Sequence, residues 1–145
     1  MFEDTAKLNL FLPDLSKEME IPLSEERVSA GFPSPAEDLM DRALDLNKEL
    51  VRHPASTFYA RVKGLSMIDE GINDGDLLVI DKSENPTDGC LAVCYIDGEF
   101  TLKRVRIEKE GILLVPANPK YKAIQVTEEN DFMIWGIVQY VIKKV

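Results

Sequence analysis

The stretch from Lys63 to Asp81, KGLSMIDEGINDGDLLVID, decides how this chain is read. Ser66 follows Val62-Lys63-Gly64-Leu65, where a predicted strand runs into a turn. Turns at Gly71 and Gly75 then lead into Asp76-Leu77-Leu78-Val79-Ile80, a second apolar strand. A hydroxyl on such a bend projects away from the sheet, with backbone N–H groups of the bend beside it. An acyl-transfer nucleophile needs that arrangement, because the same turn can supply an oxyanion pocket. A surface-turn serine has the same local sequence, so this stretch alone leaves both readings open.

Downstream, Ile96-Asp97-Gly98-Glu99-Phe100-Thr101-Leu102-Lys103 reads as a hairpin around Asp97-Gly98, with Lys103 on the return strand. A serine nucleophile needs a base at neutral pH. The chain has one histidine, His53, in a helix-ending Arg-His-Pro, which makes a Ser-His-Asp triad improbable. Lysine can serve when its ammonium is desolvated, because burial favours the neutral amine. Strand alternation puts Lys103 on one face with Thr101 and Val105, and Arg104 on the other. On that reading Lys103 faces inward and Arg104 stays in solvent. A strand lysine that runs its stem along the surface to water is the alternative.

From Thr57 onward the pattern is β-rich, with strands expected near Thr57–Lys63, Leu77–Asp81, Leu91–Ile96, Glu99–Ile107, Ile112–Pro116, Ile124–Val126 and Phe132–Ile142. The last, FMIWGIVQYVI, is apolar enough for a buried central strand or for an edge covered by a second subunit. Upstream, Ser34-Pro35-Ala36-Glu37 has the form of a capping box, and apolar residues at helical spacing predict a helix to about Val51, ended by Pro54. Ala30-Gly31-Phe32-Pro33-Ser34-Pro35 is a joint, held extended by its prolines. Before it lies an arm with three Lys/Arg and seven Asp/Glu, in which KLNLFLPDL predicts a strand packed on the body. A releasable docking arm would make the same contacts.

Composition sets limits. The chain has 145 residues, 45% hydrophobic, enough for a core of its own, and its eight Pro and eight Gly suit a turn-rich β structure. A net charge of -9 argues against a basic nucleic-acid groove, and hence against direct sequence-specific DNA binding. No apolar run approaches a membrane span and no signal-peptide pattern opens the chain, so a soluble, cytoplasmic protein is expected. Cys90 and Cys94 read as small core or half-buried side chains rather than a redox pair, and the single His53 without a Cys/His cluster argues against zinc. No metal and no cofactor are expected.

Together GLSMIDEGINDGDLLVID, DGEFTLKR and the upstream AGFPSPAED resemble the LexA/UmuD family of self-cleaving serine–lysine peptidases, across residues 29–145. The resemblance implies a mainly β fold, a LexA/signal-peptidase-like β-rich C-terminal domain with an extended N-terminal arm and one short α-helix. It implies a division into a cleavable arm (1–30), a linker with an amphipathic helix (31–56) and a peptidase domain (57–145). It assigns Ser66 as nucleophile and Lys103 as general base, Ala30–Gly31 as the bond cut, and the backbone N–H groups of Ser66 and Met67 as oxyanion donors. It further implies a homodimer, cleavage stimulated by a RecA filament on single-stranded DNA, and a product 31–145 that serves a UmuC-like error-prone translesion polymerase in SOS mutagenesis. Three other readings fit parts of the pattern. A LexA-like regulator would need a DNA-binding domain, for which the arm is too short and acidic. A signal peptidase would need a membrane anchor. A non-catalytic dimeric binding module would leave Ser66 and Lys103 inert.

Overall fold

Strand-forming residues in the described parts of the chain assemble into one large antiparallel sheet and one small one. The computed structural model describes residues 7–23, 42–63, 70–116 and 122–145. The strands, in chain order, are β1 (Lys7–Phe11), β2 (Glu20–Leu23), β3 (Arg42–Asp45), β4 (Thr57–Lys63), β5 (Leu77–Asp81), β6 (Leu91–Ile96), β7 (Glu99–Glu108), β8 (Gly111–Val115), β9 (Ile124–Gln125) and β10 (Phe132–Ile142), with an α-helix, α1 (Leu46–Leu50), and a short 3-10 helix at Pro54–Ser56. Every strand predicted after Thr57 is present, within a residue or so at each end.

Residues 1–13 and 53–145 form one compact unit and residues 14–52 another. In the first, eight strands lie in the order β1-β4-β5-β10-β6-β7-β8-β9, so β1 and β9 are the edges. The Asp97-Gly98 turn has φ of 48° and 91°, the left-handed pair that a two-residue hairpin requires, and it sets the register Ile96↔Glu99 through Ala92↔Lys103. Alternation along β6 and β7 then splits the apolar residues between two cores. Leu91, Val93 and Leu102 join Ala60, Val62, Ile72, Leu78 and Ile80 on one face. Ala92, Cys94, Ile96 and Val105 join Leu114 and Ile137 on the other.

The predicted strand at KLNLFLPDL is β1, paired antiparallel with β4 from Lys7↔Lys63 to Phe11↔Tyr59. Of its apolar side chains only Leu8 packs on a core; Leu10, Phe11 and Leu12 are 49%, 52% and 72% exposed. β10 settles the choice left open for FMIWGIVQYVI, because it is an interior strand between β5 and β6, not an edge. Its register with β6 ends at Ile137, and the following Tyr140, Val141 and Ile142 are partly exposed. Gly136 lets it lie close to β5, since a Cβ there would sit 2.6 Å from Ile80 Cγ2.

In the second unit the helix is shorter than its apolar periodicity predicts. Residues 42–45 are extended and pair with β2, from Glu20↔Asp45 to Leu23↔Arg42. Asp45 then starts α1 as its N-cap, accepting from the backbone N–H of Asn47 at 2.9 Å and Lys48 at 3.4 Å. The apolar residues from Ala43 to Leu50 thus serve a strand and then a short helix. The expected start at Ser34-Pro35 lies outside the described residues.

Candidate active site

Lys103 sits in the middle of β7, and the hairpin that creates β7 also buries it. Its register partner is Ala92, fully buried, and its neighbours along the same face are Thr101 and Val105, 5% and 0% exposed. Lys103 itself is only 6% exposed, so the inward orientation expected from alternation holds and the surface-lysine alternative does not. Thr101 lies opposite Cys94, and its Oγ1 is buried without a hydrogen-bond partner among the described residues. Burial pushes the Cys94 thiol up to about 12, with Cys90 adding to the rise and nearby Lys103 opposing it. Such a thiol stays protonated, which suits the structural reading of Cys94.

Arg104, expected in solvent, is only partly exposed and is held in a specific pair. Its guanidinium forms a two-point ion pair with Glu70, with Nε donating to Oε1 at 3.1 Å and an Nη to Oε2, and it also donates to the Gly89 carbonyl at 2.9 Å. The Glu70 carboxylate raises the Arg104 pKa above its ordinary value. Charge spacing along the sequence gives no sign of this pair, because the partners are far apart in the chain. Glu70 is the first described residue after Ser66 in the chain. The described residues on either side of 64–69 are joined by hydrogen bonds. The Val62 N–H donates to the Asp76 carbonyl at 2.9 Å and the Gly75 N–H to the Val62 carbonyl at 2.8 Å. Asp76 accepts from the Asn73 N–H at 2.8 Å and pairs with Lys143. Ser66 and Met67 themselves, and Ala30 and Gly31, lie outside the described residues.

His53 is engaged in a way the sequence does not disclose. Its Nδ1 lies 2.5 Å from Asp81 Oδ2 and 3.8 Å from Glu84 Oε1. These three side chains hold their ligand atoms within 4.8 Å of one another and could together hold a cation. Asp81 is, however, already occupied: Oδ1 accepts from Ser56 Oγ at 2.8 Å, Ser83 Oγ at 2.7 Å and the Ser83 N–H at 2.8 Å. The two serines thus serve the carboxylate, not the imidazole. This is a clasp between the start of β4 and the end of β5.

The sequence of the chain matches a known family. A family model described as Peptidase S24-like fits residues 22–139. The chain belongs to that family, the LexA/UmuD family of self-cleaving serine peptidases. Within it the chain is similar to Protein SamA of Salmonella typhimurium, 45% identical over 123 residues, 85% of each chain. It is similar to Protein ImpA of Escherichia coli, 40% identical over 124 residues that cover 85% of this chain and 83% of the relative. The LexA repressor of Stenotrophomonas maltophilia is 40% identical over 111 residues, 77% of this chain and 52% of the repressor. Among the described residues, no helix is long and apolar enough to cross a membrane.

Proposed function

We propose that the chain cuts its own backbone between Ala30 and Gly31, with Ser66 as nucleophile and Lys103 as general base. The observation that carries this reading is the burial of Lys103 at 6% exposure in mid-strand. Taking an ammonium out of water is costly, so a buried lysine amine is poised to accept a proton. Ser66 lies four residues before Glu70, a span of at most about 14 Å of extended chain, and Glu70 is bonded to Arg104, which adjoins Lys103 in β7 but faces the other side of the sheet. In the step itself neutral Lys103 takes the Ser66 hydroxyl proton and the oxygen attacks the Ala30 carbonyl. The backbone N–H groups of Ser66 and Met67 receive the oxyanion. The Lys103 ammonium then protonates the departing Gly31 amine, and water hydrolyses the Ala30 ester. Because the substrate is tethered, proximity replaces substrate binding.

The rest of the reading follows from the family. The arm 1–30 is removed from the helix-bearing segment 31–56 and the peptidase body 57–145. A RecA filament on single-stranded DNA favours the cleaving conformation, and the product 31–145, as a cytoplasmic homodimer, serves a UmuC-like translesion polymerase in SOS mutagenesis. The partly exposed Tyr140, Val141 and Ile142, beyond the end of the β6 register, support a dimer contact along β10.

The test is the pH dependence of unassisted cleavage. A lysine base makes the rate rise with pH and then level off. Lys103→Arg, which keeps a cation but cannot deprotonate, should cleave at no pH. A rate that is flat or falling from neutral to moderately alkaline pH, with the protein folded, would remove lysine as the base.

A further inference from the structure

We infer that cleavage turns the outer edge of β4 into a docking site for an extended segment of a partner polypeptide, which adds as a strand where β1 lay. The inference rests on the cut after Ala30, because β1 belongs to the arm that this cut detaches. The backbone groups concerned can be identified. The Val62 N–H and carbonyl are used toward Asp76 and Gly75, on the β5 side. Alternation therefore turns the N–H and carbonyl groups of Tyr59, Arg61 and Lys63 toward β1, where they meet Phe11, Asn9 and Lys7. Loss of β1 leaves those groups unpaired along one edge of the sheet. It also uncovers the flank of Ala60 and Val62, both fully buried, onto which Leu8 packs. An edge with free backbone groups and an apolar row is a template for strand addition.

The contacts of β1 show why it would leave and what would replace it. With Leu10, Phe11 and Leu12 about half or more exposed, β1 buries little beyond Leu8, so its hold depends on being part of the same chain. Lys63 is an exposed cation at the end of this edge, so an occupant with a carboxylate opposite it would gain the opposite-charge pairing that stabilises adjacent strands. The better occupant is thus an extended segment, antiparallel to β4, with an aliphatic residue opposite Val62 and a carboxylate opposite Lys63. β1 supplies the backbone and the Leu8 side chain of such a segment, and its sequence KLNLF contains no carboxylate.

The test separates the docking edge from self-cleavage by cutting in another way. Full-length Ser66→Ala protein receives a specific protease site between Ala30 and Gly31, is cut, and is freed of the arm by size exclusion. The probe is a fluorescent peptide of residues 5–13 carrying Lys7→Glu. It should bind the stripped protein at least about tenfold more tightly than the uncut protein, in which the tethered arm competes. The same peptide N-methylated at Asn9 should not bind, because it lacks the donor to Arg61. Amide exchange at Tyr59, Arg61 and Lys63 should rise on stripping and fall again with peptide. An arm that stays bound after cutting, loss of the fold on stripping, equal affinity for cut and uncut protein, or undiminished binding of the N-methyl peptide would each overturn the inference. None of these outcomes depends on whether Ser66 and Lys103 cleave.

Discussion

Replacing Glu70 by Gln tests whether the Glu70–Arg104 clamp, four residues after Ser66 in the chain, contributes to the proposed cleavage. The substitution keeps the shape of the side chain and removes the charge from a two-point pair with Arg104. The Arg104 and Glu70 side chains are 35% and 18% exposed, so the pair lies between a surface bridge, worth about 0–1 kcal/mol, and a buried one, where removing a partner costs about 3–5 kcal/mol. Allowing for solvent screening, about 1–2 kcal/mol is at stake. If that energy holds the turn in its cleaving geometry, the cleaving fraction falls by roughly 5- to 30-fold. The rate of fragment appearance at a fixed alkaline pH, followed by intact mass, should fall by that factor. Arg104→Met should give a similar loss and the double variant little more, as for partners in one contact. A Glu70→Gln protein that cleaves at the parental rate would refute the clamp.

Three further outcomes are expected. Asp81 is buried, which by itself raises its pKa, but hydrogen bonds from His53, Ser83 and Ser56 outweigh this and bring it down to about 2 from 3.8. Its folded value lies below its unfolded one, so it contributes roughly 2 kcal/mol above pH ~4 that is lost as pH falls toward 2; urea unfolding across that range should show the loss in the parent and not in Asp81→Asn. Gly136→Ala should lower stability by about 1–3 kcal/mol by forcing a Cβ against Ile80, measured as a fall in Tm, whereas an unchanged Tm would mean β10 can move away from β5. Thr101→Val removes a buried hydroxyl with no partner among the described residues, so stability should rise by about 1–2 kcal/mol. If that hydroxyl serves the Lys103 amine during reaction, cleavage should slow in the same variant, and an unchanged rate would restrict Thr101 to packing.

What was legible in the sequence follows the range of the interactions. The β6–β7 hairpin and the burial of Lys103 came from alternation and an Asp-Gly turn, both local signals. The helix was overextended because the apolar spacing of residues 43–50 also suits a strand followed by a capped turn, and only pairing with β2 decides between them. The central place of β10 depends on which strands flank it, which no local pattern states. The Glu70–Arg104 and His53–Asp81 pairs join residues far apart in the chain, so neither was visible before the sheet was assembled.

Intact mass of purified protein after alkaline incubation, without any added factor, tests the serine–lysine reading most directly. The parent should yield two fragments whose masses divide the chain after Ala30, while folded Ser66→Ala and Lys103→Met proteins remain whole. Fragments from folded Ser66→Ala, or a parent that stays intact at every alkaline pH at which it is folded, would contradict it.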